Sequence, residues 1–328
     1  MILRDRRALK ERAADALSGT NFSKTVLIHA AVLTAASVVM GLIQLGLDRW
    51  TENTGGLSGM GTRSVLATVS LILSLVFSLA TVFWQEGLTA TAVRAARGQY
   101  TQTWMLKEGF VRWKRILLYL FMLFGLFMGL MIACCYAAAF LTMFMPADPQ
   151  LQTALEKISM EQLMADPYGV MLQLPQKPLM KMLLPVLIVA LSGYAVIAVL
   201  LLYRLRFARY ALMDDENTGP VDAFRASGRL TRGEKKNLFR LDLSFWWYYL
   251  LQVVVSVVAY LDLLLPAVGV ALPFSQEAAY WIFYALSLAA QLILAWKVKP
   301  YILGVYATAY ELCRDGYQPP VPPQIISQ

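Results

Sequence analysis

The sequence predicts an all-α fold, a polytopic membrane bundle of about six transmembrane helices with amphipathic helices at its cytoplasmic interface. Three observations carry this. Apolar residues make up 58% of the 328 and charged residues 15%, with mean hydropathy +0.55, which is too apolar for a soluble core. Six stretches, near 25–47, 64–86, 116–144, 182–203, 244–268 and 278–296, reach the roughly 20 apolar residues that a helix needs to cross about 30 Å of hydrocarbon. The basic residues are one-sided: all but five of the 29 Lys and Arg fall on the side of the N-terminus, the second and fourth loops and the C-terminus. That bias places both ends in the cytoplasm.

The elements follow in order. Residues 1–24 are polar throughout, and the first apolar run is span-sized with no small-residue cleavage site after it, so this segment reads as a short cytoplasmic arm rather than a signal peptide. Residues 25–312 form the membrane domain, and 313–328, ending in PPVPPQIISQ, a flexible cytoplasmic tail. The spans must be helical because lipid offers no water to unpaired backbone groups. The one long outer loop, 146–181, carries a helix expected from about 149 to 165 between proline stops, a cap over the bundle mouth.

The two long cytoplasmic loops, 87–115 and 204–243, share a plan: a basic extension of the span, a polar turn, a short helix, then a second basic cluster that re-enters the membrane. In the second loop Thr218 is placed to cap a helix that has Pro220 in its first turn and Gly233 after its end. Helical spacing puts Val221, Phe224 and Gly228 on one face and Arg225, Arg229 and Arg232 on another, followed by Lys235, Lys236 and Arg240. In the first loop Trp104, Phe110 and Trp113 supply the apolar side, and Lys107, Arg112, Lys114 and Arg115 the charge. A weaker echo, WKVKPYILGVYATAYELCRDG at 296–316, suggests a third interfacial segment. Such helices lie in the headgroup layer, where each basic residue near anionic lipid contributes about 1 kcal/mol. The FWWYY run at 245–249 then forms an aromatic belt.

Inside the spans, ionisable groups are scarce. His29 lies about one turn into the first span and reads as hydrogen-bonded structure, and Asp262 falls near the outer surface, where it is expected to be hydrated. The uncharged polar residues are Gln44, Ser192, Tyr194, Gln252, Ser256 and Gln291; Gln252 and Gln291 lie at similar depth in consecutive spans, where they bond each other or begin a polar path. Gly125, Gly129, Ala133 and Ala137 make one smooth face, and Ser70, Ser74 and Ser78 another, suited to facing each other or a second subunit.

Several function classes are excluded on composition. The net charge of +8 sits at span ends rather than in a separate basic domain, which argues against nucleic acid. Cys134 and Cys135 are adjacent and Cys313 lies in a reducing compartment, so there is no disulfide framework; one histidine and no ligand spacing argue against metal, and no cofactor motif is present. No nucleophile has a base at credible depth, so the chain is expected not to be an enzyme.

The string RFARYALMDD followed by AFRASGRLTRGEKKNLFRLDLSFWWYYLL resembles the signature region of the bacterial multi-pass membrane proteins grouped as domain of unknown function 975. The matching positions are Ser227, Leu230, Gly233, Phe239, Leu241, Ser244, Phe245 and Trp247 or Tyr248, with KEGFVRWKR at 107–115 and KPYILGVYATAYE at 299–311 similar to earlier and closing motifs. The resemblance covers about residues 85–312. It implies a six-helix-type bacterial plasma-membrane protein with no established activity.

Two function classes stay open at this stage. The first is a non-enzymatic protein that organises or regulates the membrane by binding anionic headgroups, a protein partner or a second copy of itself at Arg225, Arg229, Arg232, Lys235, Lys236, Arg240, Arg112, Lys114 and Arg115. The second is a transporter or export accessory for a lipid-like or peptide substrate, with Gln252 and Gln291 on the path.

Overall fold

The computed structural model describes residues 3, 5–53, 59–142, 149–158, 169, 175–267, 269–270, 273 and 275–316. Described helices are α1 (Arg6–Leu17), α2 (Phe22–Asn53), α3 (Gly59–Ala96), a short 3-10 helix (Thr103–Lys107), α4 (Glu108–Val111), α5 (Trp113–Thr142), α6 (Pro149–Glu156), α7 (Gln176–Arg204), α8 (Ala208–Asp214), α9 (Pro220–Leu230), α10 (Lys235–Leu243), α11 (Trp246–Val258), α12 (Leu261–Ala267), α13 (Gln276–Lys297) and α14 (Lys299–Asp315). Five helices are long and apolar enough to cross a membrane, and α10 with α11, bent by 51°, makes a sixth if the pair is one span. The chain is a polytopic helical membrane protein. Two compact units divide it, one of residues 1–118 with 204–328 and one of residues 119–203.

The first unit has its core at one end of its spans, in a region we call the head. Phe22 and Val26 of α2, Leu88, Ala92 and Ala95 of α3, Leu106 of the 3-10 helix and Ala307 of α14 form a buried cluster. Side chains that leave water here gain about 25 cal/mol per Å² of apolar area, a gain unavailable to span surfaces that already face lipid. Packing is closest where side chains are smallest. A Cβ on Gly87 would lie 2.0 Å from the Leu106 carbonyl oxygen, and one on Gly109 would lie 1.8 Å from that of Phe83. Only glycine lets α3 and the 3-10 helix with α4 approach so closely.

The segment expected to lie in the interface at 296–316 instead supplies the central helix of the head, α14. From Pro300 to Cys313 nearly every residue of α14 is buried, packed on α3 and on α1. Gly304, Ala307 and Ala309 present little bulk, so the Leu17 side chain of α1 closes against Gly304. The N-terminal arm is likewise part of the head: Asp5 caps α1 by accepting from the Arg7 and Ala8 amides, and Leu9 and Ala13 are buried. Helix α14 extends through Asp315, past the expected start of the tail; residues 317–328 lie outside the described residues. Burial pushes the Cys313 thiol up to about 12, with Glu234 adding to it. Alkylation of Cys313 near neutral pH should therefore be slow in the folded protein and fast in denaturant, read by mass spectrometry of the labelled peptide; fast labelling before unfolding would contradict the buried placement.

Two helix breaks place the loop elements. Between α7 and α8 the Ser227 hydroxyl donates to the Arg204 carbonyl at 2.8 Å and accepts from the Phe207 amide at 3.1 Å, satisfying both backbone groups at the break. Between α10 and α11 the amides of Ser244 and Phe245 reach back three residues, to Leu241 and Asp242, and the Ser244 hydroxyl also takes the Leu241 carbonyl. These tight bonds turn the chain. Phe245 then sits in the head against Tyr301 and Tyr306.

The expected continuous span at 244–268 is thus in pieces: α11 ends at Val258 and α12 starts at Leu261. Asp262, expected at the outer surface in contact with water, is 4% exposed, because α12 packs on α13, and among the described residues its Oδ1 meets no hydrogen-bond partner.

In the second unit, α5 from Tyr119 onward and α7 expose Phe121, Phe124, Tyr136, Leu187 and Val196, a surface suited to hydrocarbon. Nothing lies within 4 Å of a Cβ built on Gly125 or Gly129. Helix α6 starts at Pro149 as expected and ends at Glu156; the remainder of the predicted helix, 159–165, lies outside the described residues.

Candidate functional site

The second loop, 204–243, holds the clearest separation of charge. In α9 the inward side is Pro220, Ala223 and Ser227, packed on α8. The apolar side expected to face the headgroup layer, Val221, Phe224 and Gly228, is a different one: Val221 is exposed, and the small residues fit against the broken helix. Nor does Thr218 cap α9. Its hydroxyl donates to Asp215, whose other carboxylate oxygen accepts from the Asn217 amide, and Gly219 stands at the N-cap. Those hydrogen bonds hold the Asp215 carboxyl below its usual range. Gly233, at φ +84°, makes the turn into α10, a conformation that favours glycine.

Arg225, Arg229, Arg232, Lys235, Lys236 and Arg240 are all exposed. The acids of the same segment are placed otherwise. Glu234 is buried and accepts from the Leu3 amide at 3.3 Å and from Asn237 at 2.7 Å. Asp242 turns inward to Arg206, at 2.9 Å, and to the Tyr306 hydroxyl. Only Asp222, 3.5 Å from Arg225, is an exposed acid on α9 or α10. Along α10 the exposed residues are Lys235, Lys236, Phe239, Arg240 and Leu243, continuing into Trp246 and Trp247. Cations and large apolar groups therefore share one outward side. With nine residues at about 1.5 Å each, and a 51° bend, Lys235 stands about 8 Å beyond the start of α11 along that helix's axis.

The first loop is different. Arg112 is buried, its guanidinium donating to the Met213 carbonyl at 2.7 Å and to Glu216 at 2.9 Å. Arg115 donates to the carbonyls of Asp215, Glu216 and Thr218. Of the four cations predicted there, Lys107 and Lys114 are exposed. Trp104, Phe110 and Trp113, the expected apolar side, are exposed, while Leu106 and Gly109 face inward.

Other basic residues that read as surface charge hold the head together. Arg97, in the turn after α3, pairs with Asp214 and with Glu311, the latter at 2.8 Å, and Arg314 meets Asp214 at 2.7 Å and Glu311 at 2.8 Å. Burial works against the Arg97 charge, but the hydrogen bonds to Glu311 and Asp214 outweigh it and raise its pKa further. Burial and Asp214 push the Tyr310 hydroxyl above its ordinary range, so it stays a donor to that acid.

Beyond the second span α3 continues to Ala96 as the expected basic extension, and Glu86, at the span's end, is buried beside Arg209, 2.9 Å away. The signal for this was present: GLTATAVRAA carries no helix breaker of the proline kind and keeps an apolar face. His29 is fully buried and stacked on Trp84 at 6.2 Å, without a hydrogen bond of normal geometry at either ring nitrogen.

The polar residues of the spans largely bond nearby. Gln252 donates to Tyr248 one turn back at 3.1 Å, Ser256 donates to the Gln252 carbonyl, and Gln291 is exposed. The expected Gln252–Gln291 bond is replaced by this local one. Gln44 donates to Ser74 at 2.8 Å, so the serine strip of α3 faces α2. No family model, curated protein or solved structure matches the chain.

Proposed function

We infer that the chain is a non-enzymatic integral membrane protein that binds anionic phospholipid headgroups through the outward side of α9 and α10, and so organises or regulates the membrane around it. One observation carries the reading. Two acids of this segment, the buried Glu234 and the half-buried Asp242, are turned inward to internal partners, while six cations and the apolar residues Phe239, Leu243 and Trp246 are turned outward. A surface meant only for water has no need of those three apolar groups, and a surface meant only for lipid tails has no place for the charge. At about 8 Å the cations at the start of α10 lie within one Debye length of a charged surface at physiological salt. On this reading both termini are cytoplasmic and the membrane is a bacterial plasma membrane, as the resemblance to domain of unknown function 975 implies.

The test uses the full chain in bilayers of mixed phosphatidylcholine and phosphatidylglycerol. Lipid retained after extraction should be enriched in phosphatidylglycerol. The combined Arg225→Glu, Arg229→Glu and Arg232→Glu variant should lose that enrichment about fivefold or more, since each basic residue contributes about 1 kcal/mol, and raised salt should mimic it. Unchanged enrichment in a variant that inserts normally would sink the lipid reading. A stoichiometric protein retained by the native chain and lost by the variant would replace it with a docking function.

A further inference from the structure

A second feature lies in the first loop. Val111, Arg112, Trp113, Lys114, Arg115 and Glu216 line a pocket of about 410 Å³, within the usual size of small-molecule sites. Its lining holds three cations and one acid. Both guanidinium groups are fixed in advance, Arg112 by the Met213 carbonyl and Arg115 by the carbonyls of residues 215, 216 and 218, so their ordering is not left to a ligand. The acid is not fixed. The Glu216 side chain is 80% exposed, and Arg112 Nη2 holds it at 2.9 Å. A carboxylate and a phosphate offer guanidinium the same paired acceptor oxygens, and a carboxylate that stands in water can be exchanged for another anion.

We propose that this pocket takes the phosphate group of an anionic phospholipid, which displaces the Glu216 carboxylate from Arg112 and is covered by the Lys114 ammonium. Free phosphate has the same chemistry, but the surroundings favour the lipid. Trp113, Leu117 and Leu118 are exposed at the start of α5, giving acyl chains an apolar surface beside the pocket. Glu216 is then a built-in competitor whose carboxylate keeps Arg112 satisfied while the pocket is empty of lipid. The inference rests on the lipid-binding reading of the preceding section, yet it concerns other residues, so the two fail separately.

The experiment takes the full chain into nanodiscs of phosphatidylcholine containing phosphatidic acid and counts tightly bound lipid by native mass spectrometry. A second arm titrates glycerol 3-phosphate into purely phosphatidylcholine discs. One tight phosphatidic acid per chain is expected. Lys114→Ala should weaken it about three- to tenfold and Glu216→Ala should tighten it by a similar factor, the worth of one exposed charge. Both side chains are exposed, so thermal unfolding should be unaffected. Tight lipid that ignores both variants, or that weakens in Glu216→Ala, overturns the proposal. Equal binding of glycerol 3-phosphate with the same dependence on Lys114 and Glu216 overturns the lipid as the source. Tight lipid that responds to these variants, while charge reversal on α9 leaves the general enrichment unchanged, upholds the pocket and rejects the surface reading.

Discussion

Gly109→Ala is expected to prevent the head from folding, with Gly87→Ala close behind. The added methyl would meet the Phe83 carbonyl oxygen at 1.8 Å in the first case and the Leu106 carbonyl oxygen at 2.0 Å in the second, and both obstacles are backbone. Ordinary contact starts near 3.4 Å, so α3 and α4 would have to separate by more than 1 Å. That movement would also open the contacts of Phe110 with Phe83 and Trp84 and the burial of Leu106. Overpacking against side chains costs about 1–3 kcal/mol; against two rigid helices the figure should be about 4 kcal/mol, a large share of total stability. Gly304→Ala is the control, because its obstacle at 2.4 Å is the tip of the Leu17 side chain, which can rotate away. Size-exclusion profiles and melting temperatures in mild detergent would decide. A Gly109→Ala protein as stable as Gly304→Ala would refute the close approach.

Asp214→Ala should give the second large loss. This carboxylate accepts from Arg97, from Arg314 and from the Tyr310 hydroxyl, so it ties α3 and α14 to the end of α8. Removing it leaves Arg97 and Arg314 competing for Glu311 and strands a hydroxyl on the buried Tyr310. Breaking a buried pair costs about 3–5 kcal/mol, but Arg97 and Arg314 are partly exposed, so about 2–3 kcal/mol is expected. In the Arg97→Met, Asp214→Ala double variant the loss should be smaller than the sum of the single losses, since the uncompensated cation is gone. Strict additivity would mean that the pair is not coupled.

The same comparison shows which arguments from sequence hold. The spans were legible because hydrocarbon demands a length and a composition, and both are local properties of the chain. Gly233 was legible as a turn because positive φ is a local demand as well. The faces of the short loop helices were not. Spacing placed Val221 and Trp104 on an apolar side turned to the headgroup layer, and both are exposed, but it did not identify the side that packs, which Ala223, Ser227 and Gly109 occupy. Which face is inward depends on the depth of the groove offered by another helix, and that groove is made by residues far away in the chain. Ser227 illustrates it, since its role at the break after Arg204 exists only once α9 lies against α8.

Charge divided the same way. Sequence by itself determined that this is a helical membrane protein, where six apolar stretches run, and that basic residues gather at one set of span ends, because each of these follows from the solvent that a segment must face. Only the tertiary structure decided that Arg97, Arg112, Arg206 and Arg314 are internal braces while Arg225, Arg232, Lys235, Lys236 and Arg240 face outward, and that the Pro-Tyr segment at 300–313 is a buried central helix. A guanidinium is equally charged in either place. Its role is set by whether a carboxylate lies within about 3 Å, and such distances are fixed by how distant helices pack.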